Sequence, residues 1–226
     1  MAVQMFSTST LNDVYDALKT VEGSFFGSVV LEVDGVNNAY ILCTNIDETA
    51  DFPTVLKITG ALARPDYEVT MSAISFHCAD GSTVTPYPYS TGAGNLLSTV
   101  GICSHGIALV PNLYGGSAII GKDHYDDYAF LQANITTTGG RTKIDTPTVY
   151  AGASTTSNKQ YSISQNLDDN QLNLAHILVP KRDHPYNYIT DVYAALSRGS
   201  DLAGASHAVV NDNHFISVTN NYFIKD

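Results

Sequence analysis

Charge is scarce in this chain, and positive charge most of all. Only 15% of its 226 residues are charged, against about 25% in a typical soluble domain. Eleven Lys and Arg face 22 Asp and Glu, for a net charge of −11. Lys181-Arg182 is the only adjacent basic pair, and Asp183 follows at once. Nucleic-acid binding draws on clustered Lys and Arg, so a DNA or RNA partner is not expected. An acidic surface also disfavours anionic membranes. Long hydrophobic runs are missing too: stretches such as Gly106 to Val110 fall far short of a bilayer span. The opening Met1 to Phe6 lacks the basic and apolar regions of a signal peptide, so synthesis in a reducing cytoplasm is expected. The three cysteines (Cys43, Cys78, Cys103) are too few and too far apart for a disulfide framework or a CxxC site. Each is expected as a small core residue.

Apolar residues make up 44% of the chain, enough for a real core. Ser, Thr, Asn, Gly and 14 Tyr take the place of the missing charge. A polar but charge-poor, aromatic surface suits contact with neighbouring proteins.

One helix is well signalled. Leu11, Val14, Tyr15 and Leu18 form the i, i+3, i+4, i+7 stripe of an amphipathic helix. Thr10 and Asp13 stand at capping-box positions, and Gly23 offers a stop. The stripe must lie on the following sheet or on a neighbouring subunit, so these four residues are candidate partner contacts. From Phe25 on, the pattern is β. Strands are predicted over 28–34, 39–44, 53–59, 67–78, 98–103, 107–110, 117–121, 128–133, 173–179, 208–210, 215–218 and 222–224, with a turn at Gly35 to Asn38 and another at Ala79 to Ser82. Alternation along Tyr67 to Ala73 slips at Ile74 and Phe76, which predicts a bulge or burial on both faces. Tyr188 to Leu196 fits a helix or a strand. This cadence of short strands and turns predicts a mainly β fold, an antiparallel β-sandwich or barrel-like architecture with a short N-terminal amphipathic helix. Ile135 to Arg141 is the candidate boundary between a helix-plus-β lobe (1–135) and a β-rich C-terminal lobe (136–226), unless the two are continuous. Residues 1–10 read as an arm that orders only on a partner.

Chemistry-bearing groupings are few. Lys122 to Asp127 gathers one His and three carboxylates, but without calcium-loop spacing a solvated loop is the simpler reading. Asp183-His184 and Cys103-Ser104-His105 place potential base and nucleophile side by side, whereas working pairs are brought together by the fold. No Gly-x-Ser-x-Gly elbow, complete phosphate loop or helical His pair occurs. No cofactor or metal is expected, and the chain is read as a non-enzyme. Tyr87, Tyr89, Tyr114 and Tyr125 stand in loop-like settings as further candidate partner contacts, for protein or glycan.

Three stretches resemble accessory virion proteins of tailed phages of gut bacteria. They are Leu11 to Phe26; Ile102 to Leu109 leading into Ala118 to Asp123; and Val209 to Ile216 through Asn221 to Asp226. The resemblance implies a virion structural protein that assembles with other virion proteins and with copies of itself, as tail, collar, ring or head decoration. It supplies no catalytic residues. The alternatives are a receptor- or glycan-binding module, and a hydrolase with a fold-assembled Asp/His site at His184 or His105.

Overall fold

A computed structural model of the chain describes residues 4–36, 38–63, 68–77, 81, 83–84, 97–103, 106–111, 117–122, 128–138, 141–151, 159–160, 163–164, 174–179, 187–195, 207–210, 213–219 and 222–225. From the N-terminus, β1 (Gln4–Ser7) precedes α1 (Leu11–Lys19), β2 (Val29–Asp34), β3 (Asn38–Thr44), β4 (Thr54–Ala63), β5 (Glu68–His77) and β6 (Thr83–Val84). Then come β7 (Leu97–Cys103), β8 (Gly106–Pro111), β9 (Ser117–Lys122), β10 (Tyr128–Thr138), β11 (Arg141–Ala151), β12 (Lys159–Gln160) and β13 (Ile163–Ser164). The chain ends with β14 (Leu174–Val179), β15 (Asn187–Ala195), β16 (His207–Val210), β17 (Asn213–Thr219) and β18 (Tyr222–Lys225). The fold is mainly β, as expected, and each paired strand runs antiparallel to its neighbours. Tyr188 to Ala195 resolves to strand.

The described strands form three sheets. The large one runs β1-β7-β8-β9-β10-β11-β12, with β13 also on β11. A meander, β2-β3-β4-β5-β6, forms the second, and β14-β15-β18-β17-β16 forms the third. Register explains how the first two meet. On the inner face of the β2–β6 sheet, Val29, Cys43, Leu56 and Phe76 lie in one cross-strand row, and Leu31, Ile41, Ile58 and Ile74 in the next. On the large sheet, Ile102, Ile107, Ile120 and Phe130 form a row, with Phe6, Val100, Leu109 and Ala118 beside it. These rows face each other in one core. Phe76 stacks on Phe130 at 5.1 Å between ring centroids, which is sheet-on-sheet sandwich packing. The alternate positions of the large sheet, Ala108, Val110, Ile119 and Ala129, are buried as well. There β15, β17 and β18 approach β7, β8 and β9. Burial on both faces accounts for the unbroken apolar runs Ile107 to Val110 and Ala118 to Ile120, since only one-sided strands need to alternate.

The predicted bulge is present. Thr59 pairs with Ala73 but Gly60 pairs with Met71, so Ser72 is the extra residue that brings Ile74 and Phe76 onto the buried face. A second irregularity, between Gln132 and Asn134, lies opposite Thr146 and Pro147, where proline has no N–H to give the ladder. Of the candidate lobe boundary, residues 135–138 and 141 belong to the paired ends of β10 and β11. The β10–β11 pairing continues through Ile135↔Ile144 to Thr138↔Arg141, so the large sheet carries on across position 135.

Two expectations about the N-terminus are corrected. Residues 4–10 are built into the fold and are not a free arm. Gln4 to Ser7 pair with Ile102 to Thr99 of β7, Thr8 is buried with its hydroxyl donating to the Leu97 carbonyl at 2.5 Å, and Phe6 packs on the core. The helix begins at its capping box: the Asp13 N–H donates to the Thr10 hydroxyl at 3.1 Å, and the Asp13 carboxylate accepts from the Thr10 N–H at 2.9 Å. It stops at Lys19, with Thr20 as its C-cap, one turn before Gly23. Leu11, Val14 and Leu18 are 0–2% exposed. The chain's own β1, β2, β5 and β7 cover them, so these three are core residues rather than partner contacts. Tyr15 is half-buried against the same core.

Candidate functional site

The helix exit positions the candidate site, the outer edge of β2. Gly27 makes the approach possible. A Cβ at that position would lie 2.2 Å from the Asn45 carbonyl oxygen, so a side chain there would push the incoming segment off β3. The Ser28 carbonyl then accepts from the Thr44 N–H at 2.9 Å. In an antiparallel strand, successive residues turn their backbone groups to opposite sides. Val30, Glu32 and Asp34 therefore bond to β3, while Val29, Leu31 and Val33 turn theirs outward.

The outward groups are treated unequally. Glu22 accepts from the Val29 N–H at 3.0 Å, and Lys19 donates to the Val29 carbonyl at 3.2 Å. These two side chains, at the helix C-terminus and just beyond, are themselves paired at 2.5 Å. The hydrogen bond from Lys19 and the one from the Val29 N–H hold the Glu22 carboxyl below the usual range, and the Glu22 bond raises Lys19. The ion pair caps the first position of the edge. The N–H and C=O of Leu31 and Val33 carry no such cap among the described residues. Around them Val30, Val33 and the hairpin-tip Val36 are 41%, 66% and 70% exposed, and Glu32 and Asp34 are exposed acids. Gly35 closes the hairpin at φ 73°, a conformation that suits glycine.

The outer face of the same sheet carries a polar network. Tyr40 donates its hydroxyl to Glu32 across the strand pair. That bond pushes the phenol above its ordinary value, so Tyr40 is a donor and not a base. Lys57 lies 4.3 Å from the centre of the Tyr40 ring. His77 stands 3.4 Å from the Ser75 hydroxyl and 3.2 Å from the Thr83 hydroxyl. Burial first, and then the charge of Lys57, holds His77 below the usual histidine range. Tyr40 is engaged by Glu32 and Lys57, and His77 by two hydroxyls, which suits a recognition surface more than a nucleophile awaiting a base.

The sequence-based candidates fall elsewhere. Tyr87, Tyr89, Tyr114 and Tyr125 lie outside the described residues, as do Asp123 to Asp127, Asp183, His184, Ser104 and His105. Cys103 is buried, with its thiol directed to the Gly106 carbonyl at 3.3 Å, and Cys43 is fully buried in the core. Among the described residues no three His, Cys, Asp or Glu side chains gather as a metal site, and no helix is long and apolar enough to cross a membrane. The β2 edge was not singled out from sequence. Its Val-Val-Leu-Glu-Val-Asp pattern signals a strand, but which strand ends a sheet is decided by pairing far along the chain. Comparison with protein families, with curated proteins and with solved structures finds no match.

Proposed function

We propose that this chain is a structural component of a tailed-phage particle and works through protein–protein assembly, as tail, collar, ring or head decoration. Its partners in this reading are other virion proteins and copies of itself, and it carries out no catalysis. The observation that carries assembly with other virion proteins is the β2 edge, where exposed valines surround backbone groups available for pairing with another chain. The charge-poor composition adds to it, and the phage setting rests on the resemblance of the three stretches named above. The test is native mass by light scattering with imaging of the same peak, followed by mass spectrometry of purified particles. A defined oligomer above the 24.2 kDa chain mass, or recovery of the chain with the particles, is the expected result. A monomer that is also absent from purified particles refutes the proposal.

A further inference from the structure

We propose that the β2 edge takes an extended segment of a different protein as an added strand, and that this segment alternates apolar residues beside Leu31 and Val33 with basic residues beside Glu32 and Asp34. The inference rests on the assembly reading and gives its partner a chemistry.

Strand addition uses main-chain hydrogen bonds for affinity and alternate side chains for specificity. The edge offers four backbone groups, the N–H and C=O of Leu31 and Val33. An added strand on them extends the inner row Leu31–Ile41–Ile58–Ile74 by one apolar residue. Beside Val33, 66% exposed, it sets a second. On the outer face it runs along Glu32 and Asp34, where a Lys or Arg gains an opposite charge across the pair. The Lys19–Glu22 pair on Val29 ends the pairing on one side and so sets its register.

A second copy of this chain is the wrong occupant. The antiparallel register that uses all four open groups pairs Leu31 with Val33 of the other copy. It also sets Glu32 directly opposite its own counterpart, a destabilising like-charge pair. Each copy adds a net −11 to that repulsion. The edge is thus guarded against itself and open to a basic strand.

The test uses the full chain and a dye-labelled ten-residue peptide of alternating Val and Lys, followed by fluorescence anisotropy. Saturable binding is expected. A block peptide of five Val and five Lys, with the same composition, should bind far less. Glu32→Lys with Asp34→Lys should weaken the alternating Lys peptide by about tenfold or more and turn preference to a Val/Glu peptide. Val33→Pro removes an outward N–H without removing a ladder bond, and should abolish binding with the circular dichroism unchanged. Should Val33→Pro unfold, the exchange of peptide preference by the charge-reversed chain decides. Absence of saturable binding, equal binding of the block peptide, or indifference to charge reversal overturns the inference. A chain that assembles in particles but ignores the peptide refutes this inference and leaves the assembly reading standing. One that binds the peptide but stays monomeric and outside particles does the reverse.

Discussion

Replacing Phe76 or Phe130 by alanine tests the face-to-face packing of the two sheets. The rings come from β5 and β10, are 0% exposed, and stack with centroids 5.1 Å apart at 18° between planes. A buried Phe removes roughly 150–250 Å² from water, which at about 25 cal/mol per Å² is about 4–6 kcal/mol. Core Phe→Ala replacements lose about 3–5 kcal/mol. At roughly 2–4 °C per kcal/mol for a chain of this size, each variant should melt about 10 °C below the parent. The double variant is the sharper measurement. Stacked rings contribute about 0.5–1.5 kcal/mol beyond area, and the first truncation already opens the cavity that the second shares, so the double loss should fall short of the sum by about 1 kcal/mol. Urea titrations of the four proteins, followed by circular dichroism, give the cycle. Losses additive within about 0.5 kcal/mol would mean that the rings do not touch, and would refute the sandwich contact.

Deleting Ala2 to Ser7 spares the helix cap but strips β1 from β7 beside buried Val100 and Ile102, and should destabilise by about 2 kcal/mol; an unchanged melting temperature would restore the free-arm reading. Thr10→Ala breaks the capping box and should lower stability by about 1 kcal/mol, read in the same urea titration. Burial opposes the charged form of Asp13, but the Ser9 and Thr10 backbone and hydroxyl bonds outweigh it and lower its value; Glu22 is lowered by its Lys19 bond. Both therefore add stability that is present above the ordinary carboxylate range and lost as pH falls through their lowered values, so stability should decline below about pH 4 and decline less steeply in Asp13→Asn. Burial pushes the Cys43 thiol well up, so it should resist a thiol reagent in the native chain and react on unfolding; prompt native reaction would contradict its place in the core.

The elements legible in the sequence are those written in local signals. The helix start is one, because Thr10 and Asp13 meet within a single turn. The hairpin at Gly35 is another, and so is the bulge near Ile74, because a slipped alternation is visible residue by residue. What escaped depends on partners far along the chain. Leu11, Val14 and Leu18 form the same stripe whether a sheet or another subunit covers them. Gln4 to Ser7 look like an arm until β7, more than ninety residues later, takes them as an edge strand. The candidate edge at Leu31 and Val33 was invisible for the same reason: being last in a sheet is a property of the sheet order and not of the strand.

The pairing of β1 with β7 also governs how the protein emerges from the ribosome. The β2–β6 meander joins sequence neighbours and can close as it is made. By contrast, Phe6 waits for Val100, the Thr8 hydroxyl for Leu97, and the Phe25 carbonyl for the Tyr128 hydroxyl. At about 5–20 residues per second, that delay is on the order of 5–20 seconds. During it the apolar stripe of α1 and the inner face of the meander have no large sheet to lie on. The nascent chain passes through this interval with its future core half built and apolar surface exposed.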